Sequence, residues 1–568
     1  MRTTVTVGDG VRLAVRVREA GPDAPTLVCV HGYPDNATLW DGVLAELPDT
    51  LRVVTYDVRG AGDSDRPRTR EAYRLDRLAE DLRAVVDAVS PDRPVHLLAH
   101  DWGSIQTWHA LSGAWLTGRA ASFTSISGPS LDHAARWLRS GLRRPRTLPT
   151  VARQLAHSAY LGFFQLPRLP ELAWRSGIAA AVVRRAEPAE PKPVTADAVA
   201  GLELYRANIR GRGPRQPGRV EVPVQVLAPR DDPFVGTPMQ TELGNWVPDL
   251  RVRRISGSHW VVRADPRRIA AATAELVAHT EGGPEPRALR RSRRGAAHRR
   301  RFDGRLVVVT GAGGGIGRAT ALAFAREGAD LALADLDAAS LDTAAEQARA
   351  LGVDVTTHLL DVADGDALAA FADTVTRESG VPDVVVNNAG IGLAGRVLDT
   401  TDAEWQRLAD VNLWGVTRGC TLFAERMVER GEGGHLVNVA SMAAYLPNGF
   451  LPAYSTVKAA VLMFSECLRA ELASSGIGVS AVCPGFVATG IVEATRFAGT
   501  DEAEQRRRRR GAQRFYTARN ARPEAVAEDV LRAVLDNRAV VTPTAEAKAA
   551  RVLSRWTPGL LRAALRRR

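Results

Sequence analysis

Residues 305–320 read RLVVVTGAGGGIGRAT, in which a run of β-branched residues passes through a glycine-rich turn into a helical pattern. Glycines at such a turn allow backbone N–H groups and the N-terminus of the helix to approach a pyrophosphate. The spacing is TGxxxGxG rather than GxGxxG, so a plain tight turn stays open as the alternative. The stretch predicts the strand–turn–helix unit of a doubly wound parallel sheet.

Short β-rich runs alternate with helical patterns on both sides of a segment rich in Gly, Pro and Arg, which predicts an α/β chain with two parallel sheets. Residues 131–220 contain helical patterns, many Pro and Arg and no clear strand, which predicts a helical cap inserted into the first domain. The predicted parts are a first domain over 1–278, a linker over 279–302, a second domain over 303–545 and a basic tail over 546–568.

Composition sets the class of protein. The chain has 568 residues, of which 45% are hydrophobic and 24% charged, as in globular proteins of two or more domains. Four Cys with no CxxC pair indicate a reducing compartment. The N-terminal sequence lacks the apolar core of a signal peptide, and no apolar stretch approaches the roughly 18 residues that cross a bilayer. We expect a cytoplasmic protein, with membrane association left open.

The net charge of +11 is concentrated in two segments. Residues 287–305 hold nine Arg and one acid, and residues 551–568 hold six Arg and no acid, so the remainder is slightly acidic. Neither segment interleaves aromatic residues with its charges, as a base-stacking surface does. We therefore expect no nucleic-acid partner, and an anionic membrane surface is the better candidate, through peripheral contact of the linker and tail.

The stretch HLLAHDWGS, residues 96–104, indicates a nucleophile elbow in the first domain. It places Asp101 between a strand and a helix, with the small residue Gly103 two positions later. A carboxylate nucleophile forms an ester on an electrophilic carbon, which suits epoxide opening or dehalogenation rather than peptide cleavage. The backbone amides of Tyr33 and Trp102 are candidate oxyanion donors. For a lone Asp, a helix N-cap is the plain alternative.

Two later motifs, DDPFV at 231–235 and SGSHW at 256–260, supply an acid and a base. The chain order is then nucleophile, acid and His, as in α/β-hydrolase triads. His259 would activate water, and Asp232 would orient its ring. Asp231 is the rival acid, and Asp232 is preferred.

The first half resembles the epoxide hydrolase family of α/β-hydrolases over nearly all of residues 1–278. The motifs HGYPD, DVRGAGDS, HDWGS, DDPFV and GSHW stand in that family's order. The resemblance implies that Tyr160 and Tyr205 in the cap hydrogen-bond the epoxide oxygen and protonate the leaving alkoxide. Haloalkane dehalogenases share the Asp and the neighbouring Trp but lack this pair. Ser104 stands where the family often has Gly.

In the second half, Asp335 ends the next predicted strand, 18 residues after Gly317, where an acid binds the adenosine ribose hydroxyls. A 2′-phosphate would be repelled there unless a cation compensated. Leu336 follows the acid, and Gly314 occupies the loop position where a basic residue could help. The pattern favours NAD(H), with NADP(H) as the alternative.

The stretch YSTVK places Tyr454 and Lys458 on one helix face. An ammonium beside a phenol lowers the pKa of the phenol, so Tyr454 can exchange a proton with a carbonyl or alcohol. Ser441, 13 residues earlier, can hold the substrate oxygen. Only three of 75 basic residues are Lys, so a plain surface i,i+4 pair is the weaker interpretation.

Residues 303–545 resemble the short-chain dehydrogenase/reductase family, and the variable substrate-binding region of that family corresponds to 491–520. The resemblance implies a catalytic tetrad of Asn412, Ser441, Tyr454 and Lys458. Asn412 would support a proton-relay water, and Thr489 would contact the nicotinamide amide. It also implies cofactor contacts with Thr310, Gly311, Gly315, Ile316, Gly317, Asp335, Asp361, Val362, Asn388, Ala389, Gly390, Tyr454, Lys458, Pro484, Gly485 and Thr489.

The whole chain resembles fused epoxide hydrolase–short-chain reductase proteins of actinobacteria. This resemblance implies a bifunctional enzyme that converts an epoxide to a vicinal diol through an Asp ester and interconverts an alcohol and a carbonyl with NAD(P)(H). The implied substrates are lipid-like small molecules, and no metal is expected. The resemblance also implies a homo-oligomer formed through the reductase domain. The alternatives are an active oxidoreductase with a silent hydrolase-fold binding module, and a membrane-associated interaction protein.

Overall fold

The computed structural model describes residues 1–187, 193–209, 218–294, 300–518, 521–559 and 562. The chain divides into two compact units, residues 1–298 and 299–568. Each unit contains a largely parallel sheet covered by helices, which confirms the α/β class predicted for both halves. Within the described ranges, no helix combines the length and the apolar character needed to cross a membrane.

The first unit has one mixed sheet, in the order β1-β2-β4-β3-β5-β6-β7-β8-β9 among its described residues. The strands are β1 (Arg2–Thr6), β2 (Arg12–Arg18), β3 (Thr26–Val30), β4 (Arg52–Tyr56), β5 (Val95–His100), β6 (Ala120–Ile126), β7 (Val224–Pro229), β8 (Leu250–Ile255) and β9 (Arg293–Arg294). Strands β3 to β8 run parallel, whereas β1, β2 and β9 add antiparallel edges. The carboxyl ends of the parallel strands therefore meet at one edge, where active sites of open α/β sheets form.

Helices of the first unit cover this sheet and form the cap. They are α1 (Asp41–Glu46), α2 (Leu75–Val89), α3 (Trp102–Ser112), α4 (Leu131–Leu142), α5 (Leu148–His157), α6 (Tyr160–Phe164), α7 (Leu169–Arg175), α8 (Ile178–Ala186), α9 (Thr195–Asn208), α10 (Thr237–Thr241), α11 (Val261–Ala264), α12 (Pro266–Thr280) and α13 (Arg287–Ser292). Short 3-10 helices span Ala37–Trp40, Arg70–Tyr73 and Pro145–Thr147. Helices α4 to α9 lie in the region predicted as a cap, and its described residues contain no strand.

The second unit has a parallel sheet in the order β12-β11-β10-β13-β15-β16-β18, and a separate parallel pair β14-β17, among its described residues. The strands are β10 (Leu306–Thr310), β11 (Asp330–Asp335), β12 (Val355–Leu359), β13 (Val384–Asn387), β14 (Leu393–Ala394), β15 (Gly434–Val439), β16 (Ile477–Val482), β17 (Arg496–Phe497) and β18 (Val540–Val541). The order reverses between β10 and β13, which makes this the topological switch point where ligands bind.

Helices cover both faces of the second sheet. They are α14 (Gly315–Arg326), α15 (Ala338–Arg349), α16 (Gly365–Ser379), α17 (Asp402–Ala409), α18 (Gly415–Arg430), α19 (Pro452–Leu472), α20 (Glu502–Ala518), α21 (Pro523–Leu535) and α22 (Ala545–Trp556), with 3-10 turns at Val397–Asp399, Met442–Tyr445 and Gly490–Val492 and a π-helical turn at Asp410–Trp414. Val308 belongs to the core with Phe371 and Phe423, whereas Val307 belongs to the opposite core with Phe324. Successive strand residues point to opposite faces, so this alternation places one apolar core on each face of the sheet. A parallel sheet with helices packed on both faces is the predicted doubly wound, Rossmann-type arrangement.

The predicted linker over 279–302 is wrong for most of its length. Helix α13 and strand β9 continue the first unit, where β9 pairs with β8 and Glu285 forms ion pairs with Arg251 and Arg293. Leu289 is buried in the first unit, and Phe302 is buried in the core of the second. These apolar side chains and ion pairs fix a segment that its charge run alone would leave solvated. Residues 295–299 of this linker lie outside the described residues.

The predicted tail over 546–568 also begins too early. Helix α22 buries Ala547 and Ala550, and the Glu546 carboxylate accepts a hydrogen bond from the Phe486 amide at 3.1 Å. This helix therefore belongs to the second unit. Residues 560, 561 and 563–568 of the tail lie outside the described residues.

Candidate active sites

Asp101 stands on the strained turn between β5 and α3. Its φ of 48° and ψ of −122° lie in a region that L-residues rarely adopt. A Cβ on Gly103 would lie 2.2 Å from the Val30 carbonyl oxygen, and one on Gly128 would lie 2.1 Å from the Asp101 carbonyl oxygen. Two glycines thus allow neighbouring loops to close on Asp101, and this geometry is that of the predicted nucleophile elbow.

The Asp101 carboxylate is held by the loop after β3. The Tyr33 amide donates to Oδ1 of Asp101 at 2.8 Å, so this predicted oxyanion donor faces the carboxyl oxygen itself. A Cβ on Gly32 would meet the Asp101 side chain at 2.6 Å, which explains the glycine before Tyr33. Trp102 opens α3, and its ring packs edge-to-face on Tyr205 with centroids 4.9 Å apart. The donor role of the Trp102 amide stays a prediction.

His259, which follows β8, lies between two carboxylates. Its Nε2 is 3.6 Å from Oδ2 of Asp101, and its Nδ1 is 3.1 Å from each carboxyl oxygen of Asp232. Oδ1 of Asp232 also accepts the amides of Phe234 and Val235, each at 2.9 Å. Asp231 is exposed. The geometry therefore selects Asp232 over Asp231 as the partner of His259.

The charges around His259 determine its protonation. Burial lowers the pKa of His259, but the carboxylates of Asp232 and Asp101 outweigh burial and raise this pKa to about 10. Burial raises the pKa of Asp232, yet His259 and the two amide donors bring it below its usual value. The resting site thus holds a protonated imidazole between two carboxylates at neutral pH. Esterification of Asp101 would remove one negative charge and so lower the pKa of His259.

The raised pKa of His259 predicts how the stability of the first unit depends on pH. The stabilising contribution is complete below about pH 6.5 and is lost as pH rises towards 10. Between pH 7 and pH 10 we expect the melting temperature to fall by at least about 3 °C more in the wild type than in His259→Gln, since 1 kcal/mol corresponds to roughly 2–4 °C for a unit of this size. Thermal unfolding followed by tryptophan fluorescence measures this difference; parallel curves for the two proteins would contradict the assigned charge state.

The two predicted cap tyrosines lie together above this site. Tyr160 and Tyr205 have ring centroids 6.1 Å apart, and Tyr160 lies 5.6 Å from Phe234, which packs at 5.0 Å on His259. Burial and then the charge of Asp101 raise the pKa of Tyr160, and burial, Tyr160 and Asp101 raise that of Tyr205. Both phenols therefore remain protonated at neutral pH and are available as donors.

Three contributors to this site were not predicted from the sequence. Phe164 and Trp174 pack on the Tyr33 ring at 5.8 and 6.0 Å, and they close the aromatic enclosure from the cap side. Gln154 of α5 donates to the Phe234 carbonyl at 2.9 Å and accepts from the Gly236 amide at 2.7 Å, so the cap fixes the loop after β7. The FFQLP stretch beside Tyr160 was a signal for Phe164; nothing local indicates the other two.

In the second unit, the glycine-rich turn is packed tightly enough to require glycine. Gly311 and Gly315 have φ of 65° and 52°, and a Cβ on Gly317 would lie 2.0 Å from the Gly311 carbonyl oxygen. Oγ1 of Thr310 accepts the amides of Asn388 and Ala389 at 3.1 and 3.3 Å, which ties the turn to the end of β13. A glycine precedes α14 and offers no side chain to cap it, so its first amides suit a pyrophosphate.

Two predicted acids lie at the end of this site where we expect the adenosine. Oδ2 of Asp335 accepts the Gly313 amide at 2.8 Å, which fixes its carboxylate beside the turn, and Leu336 next to it is 63% exposed. Asp361 forms an ion pair with Arg407 of α17 at 3.2 Å, a partner that the sequence did not indicate. Val362 is buried beside Asp361.

The four predicted tetrad residues lie at the other end of the site. Asn412 sits in the π-helical turn, where its side chain accepts from the Ile391 amide at 2.9 Å and donates to the Ile391 carbonyl at 2.8 Å. Nζ of Lys458 donates to the Val439 carbonyl at 2.8 Å and lies 5.9 Å from the centroid of the Tyr454 ring. Ser441 ends the segment after β15. Burial lowers the pKa of Lys458 to about 8.

One cavity of about 1030 Å³ joins these parts. Its lining includes Ser441 and every predicted cofactor residue except Thr310 and Gly317. These two residues support the glycine-rich turn without lining the cavity. The lining also includes large apolar side chains, two of them from the predicted variable region, and these residues are Leu446, Phe450, Leu451, Phe486, Phe497 and Phe515. The donors, the glycine cradle and the volume fit a nicotinamide dinucleotide together with a substrate that has an apolar part.

Comparisons with known proteins agree with this division. The family model described as "alpha/beta hydrolase fold" matches residues 25–263, and that described as "short chain dehydrogenase" matches residues 305–498. The "Probable oxidoreductase EphD" of Mycobacterium tuberculosis is 43% identical over 579 residues, covering 99% of this chain and 97% of that protein.

Further similarities cover the second unit alone. The "Putative oxidoreductase SadH" of Mycobacterium tuberculosis is 35% identical over 258 residues, which are 45% of this chain and 91% of that protein. A crystal structure of a short chain dehydrogenase/reductase from Burkholderia phymatum in complex with NAD is 33% identical and covers 44% of this chain and 92% of that chain, with a TM-score of 0.41.

Proposed function

Because the chain belongs to the family of the mycobacterial EphD proteins, an α/β-hydrolase domain followed by a short-chain dehydrogenase domain, we propose that it is a bifunctional enzyme acting on lipid-like substrates. The first domain hydrolyses an epoxide to a vicinal diol, and the second interconverts an alcohol and a carbonyl with NAD(H). The observation that supports the first activity best is the alignment of Asp101, His259 and Asp232 beneath two protonated phenols.

The hydrolase reaction begins with an attack by Oδ2 of Asp101, because Oδ1 already accepts the Tyr33 amide. A bond forms between Oδ2 and a ring carbon, the ring C–O bond breaks, and the alkoxide takes a proton from Tyr160 or Tyr205. His259, no longer facing a charged Asp101, gives its proton to the tyrosine phenolate, and the neutral imidazole then removes a proton from water. The hydroxide attacks Cγ of Asp101, and the Tyr33 amide stabilises the oxyanion. The bond between Cγ and the diol oxygen breaks, and this alkoxide takes the proton of the added hydroxyl, which restores the Asp101 carboxylate beside a protonated His259.

The test of the bifunctional proposal is diol formation from a long-chain fatty epoxide by the purified full chain, with and without NAD⁺. Diol formed by the wild type, followed by its NAD⁺-dependent loss, would support two sequential steps. No diol from any member of a broad epoxide panel would favour the alternative, in which the hydrolase-fold domain only binds substrate.

The oxidoreductase reaction divides proton and hydride chemistry. A bound nicotinamide supplies or accepts the hydride. Tyr454 moves the proton to or from the substrate oxygen, and the hydroxyl of Ser441 holds that oxygen. Lys458, placed by the Val439 carbonyl, provides the positive charge beside the phenol. The side chain of Asn412 accepts from and donates to the Ile391 backbone, so we assign it to positioning the Gly390 loop beside Lys458.

The surroundings of Asp335 support NAD(H) over NADP(H). A 2′-phosphate would face a carboxylate fixed by the Gly313 amide, and the neighbouring position holds Leu336 instead of a cation. We expect Asp335→Ser combined with Leu336→Arg to shift the ratio of kcat/KM for NADP⁺ over NAD⁺ at least about 100-fold, equivalent to roughly 3 kcal/mol. The exposed variant Asp337→Ser is the matched control. An unchanged ratio in the double variant would contradict this placement of the ribose.

We propose that the second domain mediates homo-oligomer formation, and that the basic residues that remain in the linker and in the tail beyond α22 contact anionic membranes peripherally. Size-exclusion chromatography with light scattering tests the first of these; a monomer at all concentrations would contradict it.

A further inference from the structure

Helices α7 and α8 of the cap present an apolar face to water. On α7, Pro170 and Trp174 are buried, and on α8 Ala180 is buried. Surface helices normally turn polar residues outward, opposite such a buried stripe. Here the outward side chains are Leu169, Leu172, Ile178 and Val182, which are 54%, 61%, 63% and 64% exposed. We call these four residues the α7–α8 patch.

Further exposed apolar residues precede the patch along the chain. Phe163 and Leu166, in the segment that leads into α7, are also exposed. Single exposed apolar residues are normal, but a group on two helices that pack together marks an interaction surface.

The charge around the patch indicates the chemistry of its partner. Residues 131–187 hold ten Arg and three acids. Four of these arginines flank the patch along the chain and are exposed, and they are Arg168, Arg175, Arg184 and Arg185. A surface that combines exposed Leu, Ile and Val with arginines suits an anionic lipid interface, where apolar side chains enter the headgroup–acyl boundary and arginines meet phosphates.

We propose that the α7–α8 patch docks the cap on an anionic lipid membrane. A second copy of the chain is a poorer occupant, because two identical patches would bring like charges together. Helix α7 also reaches the hydrolase site, since Trp174 packs on Tyr33 at 6.0 Å and the Tyr33 amide binds Asp101. Docking would thus bring the cap side of the hydrolase site to a lipid surface. This proposal does not depend on either proposed activity.

The experiment is co-sedimentation of the full chain with vesicles of phosphatidylglycerol and phosphatidylcholine, and with vesicles of phosphatidylcholine alone. The wild type should bind the anionic vesicles, with binding that weakens as salt rises. The double variant Leu172→Ser/Val182→Ser should lower the vesicle partition coefficient at least about tenfold, because both side chains would lose their place in the lipid. Arg184→Gln/Arg185→Gln should weaken binding and reduce its dependence on salt.

Two controls make the result specific to the cap. Leu398→Ser changes an 83% exposed leucine of the second unit and should bind like the wild type. Trp556→Ser changes the exposed aromatic residue of α22 and should retain most binding. Every variant should unfold at the wild-type temperature, because all the changed side chains are exposed.

Four results would overturn the proposal. They are no binding of the wild type to anionic vesicles, equal binding by Leu172→Ser/Val182→Ser and the wild type, loss of binding in Trp556→Ser alone, or a dimer that Leu172→Ser/Val182→Ser abolishes. The third result would assign membrane contact to the tail, and the fourth would assign the patch to a second copy of the chain.

Discussion

Asp101→Asn is expected to lower the rate of epoxide hydrolysis at least about 1000-fold, the scale on which loss of a nucleophile acts. The amide keeps the shape of the side chain and its contact with the Tyr33 amide, but it is a poor nucleophile. Diol formation followed by mass spectrometry measures the change. The NAD⁺-dependent activity of the second unit should be unchanged in the same preparation.

The matched control for this variant is Asp231→Asn. Asp231 is an exposed acid next to Asp232 in sequence, and its substitution should leave diol formation within about twofold of the wild type. If Asp101→Asn retained wild-type turnover, a carboxylate-ester mechanism would be excluded. If Asp231→Asn were the inactive variant, the assignment of the triad acid would be wrong.

Tyr454→Phe is expected to lower the oxidoreductase rate by roughly 100- to 10,000-fold, the range that general acid–base groups contribute. The phenyl ring keeps the packing beside Lys458 but has no proton to move. Steady-state kinetics should show the loss in kcat, whereas the dissociation constant for NADH, measured by fluorescence, should change little. Hydrolysis of the epoxide should be unaffected.

Tyr445→Phe is the control for Tyr454→Phe. The Tyr445 hydroxyl contacts the Cys483 sulfur at 3.4 Å, and the residue is half-buried in the same unit. Its loss should leave kcat nearly unchanged. Equal effects of the two substitutions would mean that the phenol of Tyr454 has no special role in proton transfer.

The sequence predicted the buried parallel strands well because their residues are apolar on both faces. The runs TLVCV at 26–30, VHLLAH at 95–100 and DLALAD at 330–335 favour buried strands, and they coincide with β3, β5 and β11. No apolar run of this kind indicates β1 or β2, because polar residues interrupt both strands at the edge of the sheet. The period of two in β2 was a usable signal, since β2 alternates between buried and less buried positions.

Long-range contacts account for what the sequence could not show. The two-residue strand β9 exists because it pairs with β8 and because Glu285 forms an ion pair with Arg293, which no local pattern reveals. The choice between Asp231 and Asp232 likewise depends on where the chain turns after β7. Arg407 reaches Asp361 from a helix 46 positions away in sequence. The motif residues could be predicted because each motif is a short continuous stretch of sequence. Their partners on other helices and strands could not be predicted, because those contacts depend on the tertiary fold.

A single-turnover reaction in ¹⁸O-labelled water, with enzyme in excess over a fatty epoxide, tests the Asp101 ester most directly. We expect the first diol to carry an unlabelled oxygen taken from Asp101, and we expect ¹⁸O to enter the carboxyl group of the peptide containing Asp101. Labelled diol from the first turnover, with no label in that peptide, would show direct attack by water and exclude the Asp101 ester.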